Sequence, residues 1–249
     1  VDLVVVGNAV SRGNPEVEWV LEERIRYCSL PEIVRDQFLW ERLPVVVAGT
    51  HGKTTTAFMT AWALSESGRE PSFLIGGVSK NFLTSGQLGS GKPFVIEGDE
   101  YDSAFFDKTA KFLKYLPHIL VVNNVEFDHA DIYSDLKELR RAFTRLVNLV
   151  PRDGQLLLCA DNADATRLAA SARCAVETFG LEGAADWRAE NVQHESASTT
   201  FDVMHGGQPV GRVNLPLLGI FNVRNALGSI AAAVSAGATE SDALNALMR

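Results

Sequence analysis

The sequence has few cysteines, no surplus of basic residues and no long apolar segment. Only 3 of the 249 residues are cysteine (Cys28, Cys159 and Cys174), and none forms a C-x-x-C pair. This pattern gives neither a disulfide framework nor a zinc knuckle, and a reducing, cytoplasmic compartment is expected. The 23 Lys and Arg residues are outnumbered by 31 Asp and Glu residues, for a formal net charge of -8. That balance argues against a general binder of nucleic acid or of anionic membranes. No apolar run approaches the ~18 residues of a membrane span.

The composition is otherwise that of a globular protein, with 46% apolar and 22% charged residues. The first residue, Val1, already leads into a strand-like run, so we interpret the sequence as part of a longer protein. Residues 1–43 are predicted to be the end of a Rossmann-like domain. A second domain, 44–249, is predicted to begin at Pro44.

Strand and helix patterns alternate along the chain, which predicts an α/β fold. We expect a mostly parallel sheet with helices on both faces and a small antiparallel hairpin that turns at Gly206 and Gly207. The predicted strands are 3–6, 45–48, 73–75, 94–97, 119–123 and 155–159. The predicted helices lie near 15–21, 31–41, 53–67, 136–150, 163–172 and 222–236, with another that starts at 241 and continues to 249.

A phosphate-binding loop is the strongest chemical signal. The run Gly49-Thr50-His51-Gly52-Lys53-Thr54-Thr55 follows a short buried strand and precedes a helix. Consecutive N–H groups at a helix N-terminus bind phosphate, Lys53 adds a cation for the β- and γ-phosphates, and the Thr54 hydroxyl can bind Mg²⁺. The spacing departs from G-x-x-x-x-G-K-[ST], because only two residues separate Gly49 from Gly52. A Gly-rich turn with an exposed lysine is the alternative.

Acidic side chains follow the next predicted strand. Glu97, Asp99, Glu100 and Asp102 lie within six residues, so their carboxylates repel one another unless a cation is bound. Hard oxygen ligands beside a nucleotide indicate Mg²⁺, whereas a solvated acidic loop is the alternative. After a further strand, His129 stands between Asp128 and Asp131, which favours an oriented, neutral imidazole.

The loop G-T-H-G-K-T-T resembles the short P-loop of the Mur ligases, ATP-dependent enzymes that build the peptide of bacterial cell-wall precursors. The resemblance extends over nearly the whole chain. It implies a central Mur ligase domain that binds ATP and Mg²⁺, with Lys53, Glu97 and His129 as catalytic residues. Glu97 and His129 would bind one metal and Thr54 the other.

Further site residues follow from the same resemblance. The run Asn124 through His129 resembles the family pattern N-x-x-x-D-H, so Asn124 is expected near the nucleotide. Gly219 to Ala226 resembles G-x-H-N-x-x-N-A, which makes Asn225 an adenine contact. Asn222 is either a second adenine contact or only a helix N-cap. Phe221 replaces the usual histidine. The residues predicted to contact nucleotide are Gly49, Thr50, His51, Gly52, Lys53, Thr54, Thr55, Asn124, Asn222 and Asn225.

The resemblance also bears on the substrate. The helix after His129 lacks the lysine that several Mur ligases carbamylate; it reads Ala142-Phe143-Thr144 at that region. This is similar to the branches that act on UDP-N-acetylmuramate. The string 100–108 and the loop 7–15 favour a ligase that adds the tripeptide L-Ala-γ-D-Glu-meso-diaminopimelate in cell-wall recycling. Asn8, Ser11 and Asn14 would contact the UDP-sugar.

Two alternatives remain open: a ligase that adds L-alanine, and a nucleotide-binding module without turnover. In either ligase the resemblance implies an acyl phosphate that an amine then attacks. The family's C-terminal domain is missing from the sequence, so we expect this chain alone to be inactive. The sequence does not predict an oligomeric state.

Overall fold

The centre of the fold is a run of six residues that is almost entirely buried. In the computed structural model, which describes residues 1–127, 133 and 135–249, strand β3 spans Leu43–Ala48. Its side chains alternate between two hydrophobic clusters: Val45 and Val47 belong to one, Val46 and Ala48 to the other. Both faces are apolar because both are covered by helices, as is typical of parallel sheets.

A ten-stranded sheet is built around this strand, in the order β14-β13-β12-β11-β10-β9-β3-β6-β4-β5. All neighbours from β12 to β4 run parallel, whereas the outer strands at both edges are antiparallel. The strands of this sheet are β3, β4 (Ser72–Leu74), β5 (Gly86–Gln87), β6 (Pro93–Gly98), β9 (Ile119–Val122), β10 (Gln155–Cys159), β11 (Ala175–Gly180), β12 (Trp187–His194), β13 (Thr199–His205) and β14 (Gln208–Leu215).

Helices cover both faces. Residues of α3, α6 and α7 pack in the first cluster, and residues of α4 and α5 pack in the second. Two small sheets lie outside: β1 pairs parallel with β2, and β7 antiparallel with β8. The helices are α1 (Pro15–Glu22), α2 (Leu30–Val34), α3 (Lys53–Glu66), α4 (Leu136–Val147), α5 (Ala163–Arg167), α6 (Ile220–Ser235) and α7 (Glu240–Ala246), and the small strands are β1 (Val4–Val6), β2 (Tyr27–Ser29), β7 (Asp102–Ala104) and β8 (Asp107–Ala110).

The predicted fold class is confirmed, with differences in detail. The hairpin turns at Gly206 and Gly207, both with positive φ (55° and 79°), as a two-residue turn requires. It is part of a three-stranded extension, because β12 pairs with β13 as well as with β11. The predicted helix 31–41 is divided into α2 and a π-helical turn at Arg35–Leu39.

Helix ends were predicted less accurately. Helix α4 ends at Val147 rather than at 150. Helix α5 ends at Arg167 and continues as a 3₁₀ turn, and the last helix ends at Ala246 rather than running to 249. The cysteines at 28, 159 and 174 are all free. Within the described ranges, none of the helices combines the length and apolar character needed to cross a bilayer.

Candidate functional site

Three neighbouring strands end at the same edge of the sheet. Ala48, the last residue of β3, is in register with Gly98 at the end of β6 and with Val122 at the end of β9. The loops after these strands therefore meet where open parallel sheets bind their ligands, at the carboxyl ends. The predicted phosphate loop, the acidic segment and the segment from Asn123 onward all lie there.

The phosphate loop connects β3 to α3 in four residues. Gly49 and Gly52 have φ values of 137° and 79°, which residues with a Cβ atom rarely adopt. Gly52 is the N-cap of α3. The sequence thus folds its two glycines into the positions where the chain must reverse and present the N-terminus of a 14-residue helix.

The segment after β9 braces this loop. Thr50 donates its N–H to the carbonyl of Asn124 (3.1 Å), and its Oγ1 accepts from the N–H of Glu126 (2.9 Å). The N–H of His51 donates to Oδ1 of Asn124 (2.7 Å). The His51 ring is largely exposed, with Nε2 3.8 Å from a Glu126 carboxylate oxygen. Asn124, predicted to be near the nucleotide, is therefore placed beside the loop as its support.

Lys53 begins α3 and bends back over the loop. Its Nζ donates to the carbonyls of Gly49 (2.8 Å) and Thr50 (3.2 Å) and pairs with the carboxylate of Glu100 (2.9 Å to Oε2). The ammonium group is therefore held at the mouth of the loop that the sequence predicts to bind phosphate.

Thr54 and Glu97 are in direct contact. The Thr54 hydroxyl donates to Oε1 of Glu97 (2.8 Å), and the N–H of Gly76 donates to Oε2 (2.8 Å). A hydroxyl and a carboxylate this close are a pair of hard oxygen donors of the kind that Mg²⁺ binds. The two predicted metal ligands from separate strand ends thus converge. Thr55, the next residue, is half-buried in the first turn of α3.

Lysines neutralise the rest of the acidic segment. Asp99 pairs with Lys111 (2.6 Å), Glu100 with Lys53, and Asp102 with Lys108 (2.6 Å). Within the described ranges, these ion pairs involve every carboxylate of the segment except Glu97. The repulsion inferred from the sequence is thus relieved within the chain, which leaves Glu97 as its candidate metal ligand.

The third predicted ligand cannot be placed. His129, with Asp128 and Asp131, lies outside the described residues. Among the described residues, no group of three His, Cys, Asp or Glu side chains has the arrangement of a metal site.

Buried amides connect the loop to α6. Asn225 is 7% exposed, accepts from Oγ1 of Thr56 (3.2 Å) and donates to Oδ1 of Asn222 (3.3 Å). Asn222 in turn donates to the carbonyl of Leu218 (2.9 Å). The alternative that Asn222 is a helix N-cap is wrong, because Gly219 occupies that position and Asn222 lies within the first turn.

A cleft of about 180 Å³ opens on this side of the loop. His51, Asn124 and Asn225 line it together with Phe221, a residue that is 61% exposed. An exposed aromatic ring beside a phosphate loop suits a nucleobase, which stacks on aromatic side chains. Arg224 also lines the cleft, and its Nε donates to Asp161 (2.5 Å).

A second, larger cleft of about 560 Å³ extends from Asn8 to Glu97. Lys111 and Asp99 also line this cleft. Of the other predicted substrate contacts, Ser11 is exposed, whereas Asn14 caps α1 by accepting the N–H groups of Glu16 and Val17. The structure brings Asn8 into the same cleft as Glu97, but Asn14 has a local role in its own helix.

Several residues of the site do not follow from the sequence. The acidic segment predicts a metal-binding cluster that includes Glu100 rather than a partner for Lys53, and no pattern points to Thr56, Asn123 or Lys111. The Nδ2 of Asn123 donates to Oγ1 of Thr56 (3.0 Å) under the loop. The only available signal was position, because Asn123 directly follows a buried strand.

Comparisons with known proteins agree with this geometry. Residues 47–233 match the family described as Mur ligase middle domain. The chain is 44% identical over 247 residues to the UDP-N-acetylmuramate–L-alanyl-gamma-D-glutamyl-meso-2,6-diaminoheptandioate ligase of Escherichia coli (strain K12), covering 99% of this chain and 53% of the relative. It is 38% identical over 236 residues to a UDP-N-acetylmuramate–L-alanine ligase of Geotalea daltonii, covering 93% of this chain and 49% of the relative.

Solved structures give the same picture. The UDP-N-acetylmuramate:L-alanyl-gamma-D-glutamyl-meso-diaminopimelate ligase of Neisseria meningitides superimposes with a TM-score of 0.91 at 40% identity, covering 99% of this chain and 78% of that one. The UDP-N-acetylmuramate-alanine ligase of Thermotoga maritima gives a TM-score of 0.83 at 27% identity, covering 99% of this chain and 54% of that one. The chain spans about half the length of the curated relatives it matches.

Proposed function

Because the chain belongs to the Mur ligase family, we propose that it forms the ATP-binding part of a ligase that joins the tripeptide L-Ala-γ-D-Glu-meso-diaminopimelate to UDP-N-acetylmuramate in cell-wall recycling. The observation that carries this proposal is the convergence of Lys53, Thr54 and Glu97 at one sheet edge. A phosphate loop alone suits many nucleotide-binding proteins. Here the Glu97 carboxylate, from a second strand, accepts a hydrogen bond from the Thr54 hydroxyl. That pair suits a protein that also holds a metal ion against the phosphate being transferred.

The donor set fits Mg²⁺ and ATP. Thr54 and Glu97 offer oxygen ligands, and Mg²⁺ keeps several waters when only one or two protein groups bind it. The N-terminus of α3 and Lys53 would hold the β- and γ-phosphates. The cleft at Phe221 would receive the adenine, with Asn225 and Asn222 behind it. The metal, when bound, supplies neutralisation of negative charge on the phosphates.

The reaction has two steps in this proposal. A carboxylate oxygen of UDP-N-acetylmuramate attacks the γ-phosphorus, the bond to the bridging oxygen breaks, and ADP leaves. The amine of the tripeptide then attacks the acyl carbon and gives up a proton, the bond from that carbon to the phosphate oxygen breaks, and inorganic phosphate leaves. The chain's contribution is to orient the triphosphate and to stabilise charge through Lys53 and the loop N–H groups. The larger cleft would direct the sugar's carboxylate toward Glu97.

Two observations favour the tripeptide over L-alanine as the group added. The identity to the Escherichia coli relative exceeds that to the Geotalea daltonii relative. Residues 100–108, which carry the favoured sequence string, include Glu100 and strand β7, and they adjoin the larger cleft.

The test is a chimera in which this chain replaces the matching residues of the Escherichia coli relative. We expect it to form the UDP-N-acetylmuramoyl tripeptide with ATP and to release one phosphate per product. The matched variant Lys53→Ala should lose activity by about 100-fold or more, since the removal of one group that stabilises transition-state charge typically costs that much. A chimera that binds ATP but joins neither the tripeptide nor L-alanine to UDP-N-acetylmuramate would favour the non-catalytic module. Robust phosphate release with L-alanine in place of the tripeptide would favour the alanine ligase.

A further inference from the structure

The ammonium group of Lys53 already has a protein partner for each of its protons. An ammonium carries three N–H donors. In Lys53 they are directed at the Gly49 carbonyl (2.8 Å), the Thr50 carbonyl (3.2 Å) and the Glu100 carboxylate, at 2.9 Å from Oε2 and 3.2 Å from Oε1. A phosphate oxygen that binds Lys53 must therefore displace at least one of these three partners.

The Glu100 carboxylate is buried and does not reach solvent. Its side chain is 1% exposed, compared with 13% for Lys53. The hydroxyl of Tyr133 donates to the Glu100 carbonyl (2.8 Å) and fixes the backbone at this point. Because the Glu100 carboxylate is held in the interior, it stays beside any phosphate that approaches Lys53. Its electrostatic interaction with that phosphate is stronger there than it would be in water, because the surroundings are less polar.

We propose that Glu100 is the built-in counterion of Lys53 and competes with the nucleotide's phosphates for the ammonium group. Without nucleotide, the ion pair stabilises the loop. With nucleotide, the same carboxylate weakens binding in proportion to the phosphate charge that reaches Lys53. Glu100 is thus a positioning residue that acts through Lys53 and not a metal ligand. The inference rests on the proposed function only in taking the loop to be an ATP site.

The test is Glu100→Gln, measured by calorimetry on the 249-residue chain with Mg²⁺ and ATP, ADP or AMP. Glutamine keeps the shape and one acceptor oxygen but removes the charge. We expect ATP and ADP to bind about three- to tenfold more tightly, the difference between a charged and a neutral acceptor for Lys53. Binding of AMP should be unchanged, because AMP has no phosphate that reaches the lysine.

Three controls separate this inference from a general structural effect. Asp102→Asn removes a carboxylate of the same segment that pairs with Lys108 instead, and it should leave all three affinities unchanged. In a Lys53→Met background, Glu100→Gln should no longer alter ATP binding. The nucleotide-free Glu100→Gln chain should melt at a lower temperature, since the partly buried ammonium group of Lys53 then lacks its counterion. Glu100→Asp retains the charge, so its ATP affinity should stay near that of the unchanged chain.

Unchanged or weaker ATP binding by Glu100→Gln, or an equal change for AMP, would overturn the inference while leaving the ATP site intact. If the unsubstituted chain binds neither ATP nor AMP, the proposed function is overturned, and with it the proposed competition between Glu100 and the phosphates.

Discussion

Gly52 offers the clearest test of how the phosphate loop is built. Its φ of 79° is left-handed, and a Cβ added there would lie 2.5 Å from Oδ1 of Asn225 and 3.0 Å from Nδ2 of Asn123. Both side chains are buried amides that bond to Thr56 beneath the loop. The substitution Gly52→Ala therefore strains the backbone and crowds two groups that cannot move without breaking their hydrogen bonds.

Gly207 provides a matched control. It has the same φ of 79°, but a Cβ there meets nothing within 4 Å. The left-handed conformation costs an alanine about 1–2 kcal/mol, and the stiffer unfolded chain returns about 0.4–1 kcal/mol. Gly207→Ala should thus destabilise the protein by about 0–1.6 kcal/mol, the difference between these two contributions. Crowding in a packed interior adds about 1–3 kcal/mol, so Gly52→Ala should cost about 1–3 kcal/mol more than Gly207→Ala, or about 1–4.6 kcal/mol in all.

The assay is urea unfolding of the two variants, with free energies from linear extrapolation, followed by ATP titration under conditions where both are folded. Gly52→Ala should also weaken ATP binding by about tenfold or more, which corresponds to a loss of about 1.4 kcal/mol, while Gly207→Ala should bind ATP normally. If the two variants lose equal stability, the contact of Gly52 with the buried amides does not determine the loop, and our account of it is refuted.

Three further predictions concern the metal ligand Glu97, the stacking of the adenine on Phe221 and the stability of the protein at low pH. Glu97→Gln removes the charged metal ligand, so Mg²⁺ should no longer raise ATP affinity in calorimetry as it does for the unchanged chain; an intact Mg²⁺ effect would contradict the assignment. Phe221→Ala should weaken binding of adenine nucleotides by roughly fivefold or more, because base stacking on an aromatic ring is worth about 1–3 kcal/mol, and should leave the melting temperature nearly unchanged. Hydrogen bonds from Arg140, and then from Arg167, hold the pKa of Asp164 below its usual value. The ionised Asp164 carboxylate therefore stabilises the folded protein at neutral pH, and this contribution is lost as the pH falls through the lowered pKa. The stability difference between the unchanged chain and Asp164→Asn should shrink as the pH falls below the ordinary aspartate pKa of 3.8 and through the lowered one, and a constant difference would rule out the ion pairs as its cause.

The sequence was most informative where one short pattern determines both structure and chemistry. The run from Leu43 to Thr54 predicts a doubly covered strand, a glycine turn and a helix start, because each depends on neighbours within a few residues. The strand that carries Glu97 was located for the same reason. The structure then shows that the two segments meet through the Thr54 to Glu97 hydrogen bond.

Pairings between distant residues could not be read from the chain. Glu100 looked like one acid among four, and only the three-dimensional arrangement shows that it is the partner of Lys53. Strand β11 does not stand out in the sequence, because Glu177 and Thr178 interrupt its apolar residues and only the last two of its six residues are buried. The role of Asn225 likewise depends on Thr56, which is 169 positions away.

The central claim is tested most directly by a crystal structure of the chain with Mn²⁺ and a non-hydrolysable ATP analogue, using the anomalous signal of the metal. We expect a peak within bonding distance of Thr54 Oγ1 and the Glu97 carboxylate, with the triphosphate along residues 49–54 and the adenine beside Phe221. A nucleotide and metal bound away from the ends of β3 and β6 would contradict the account.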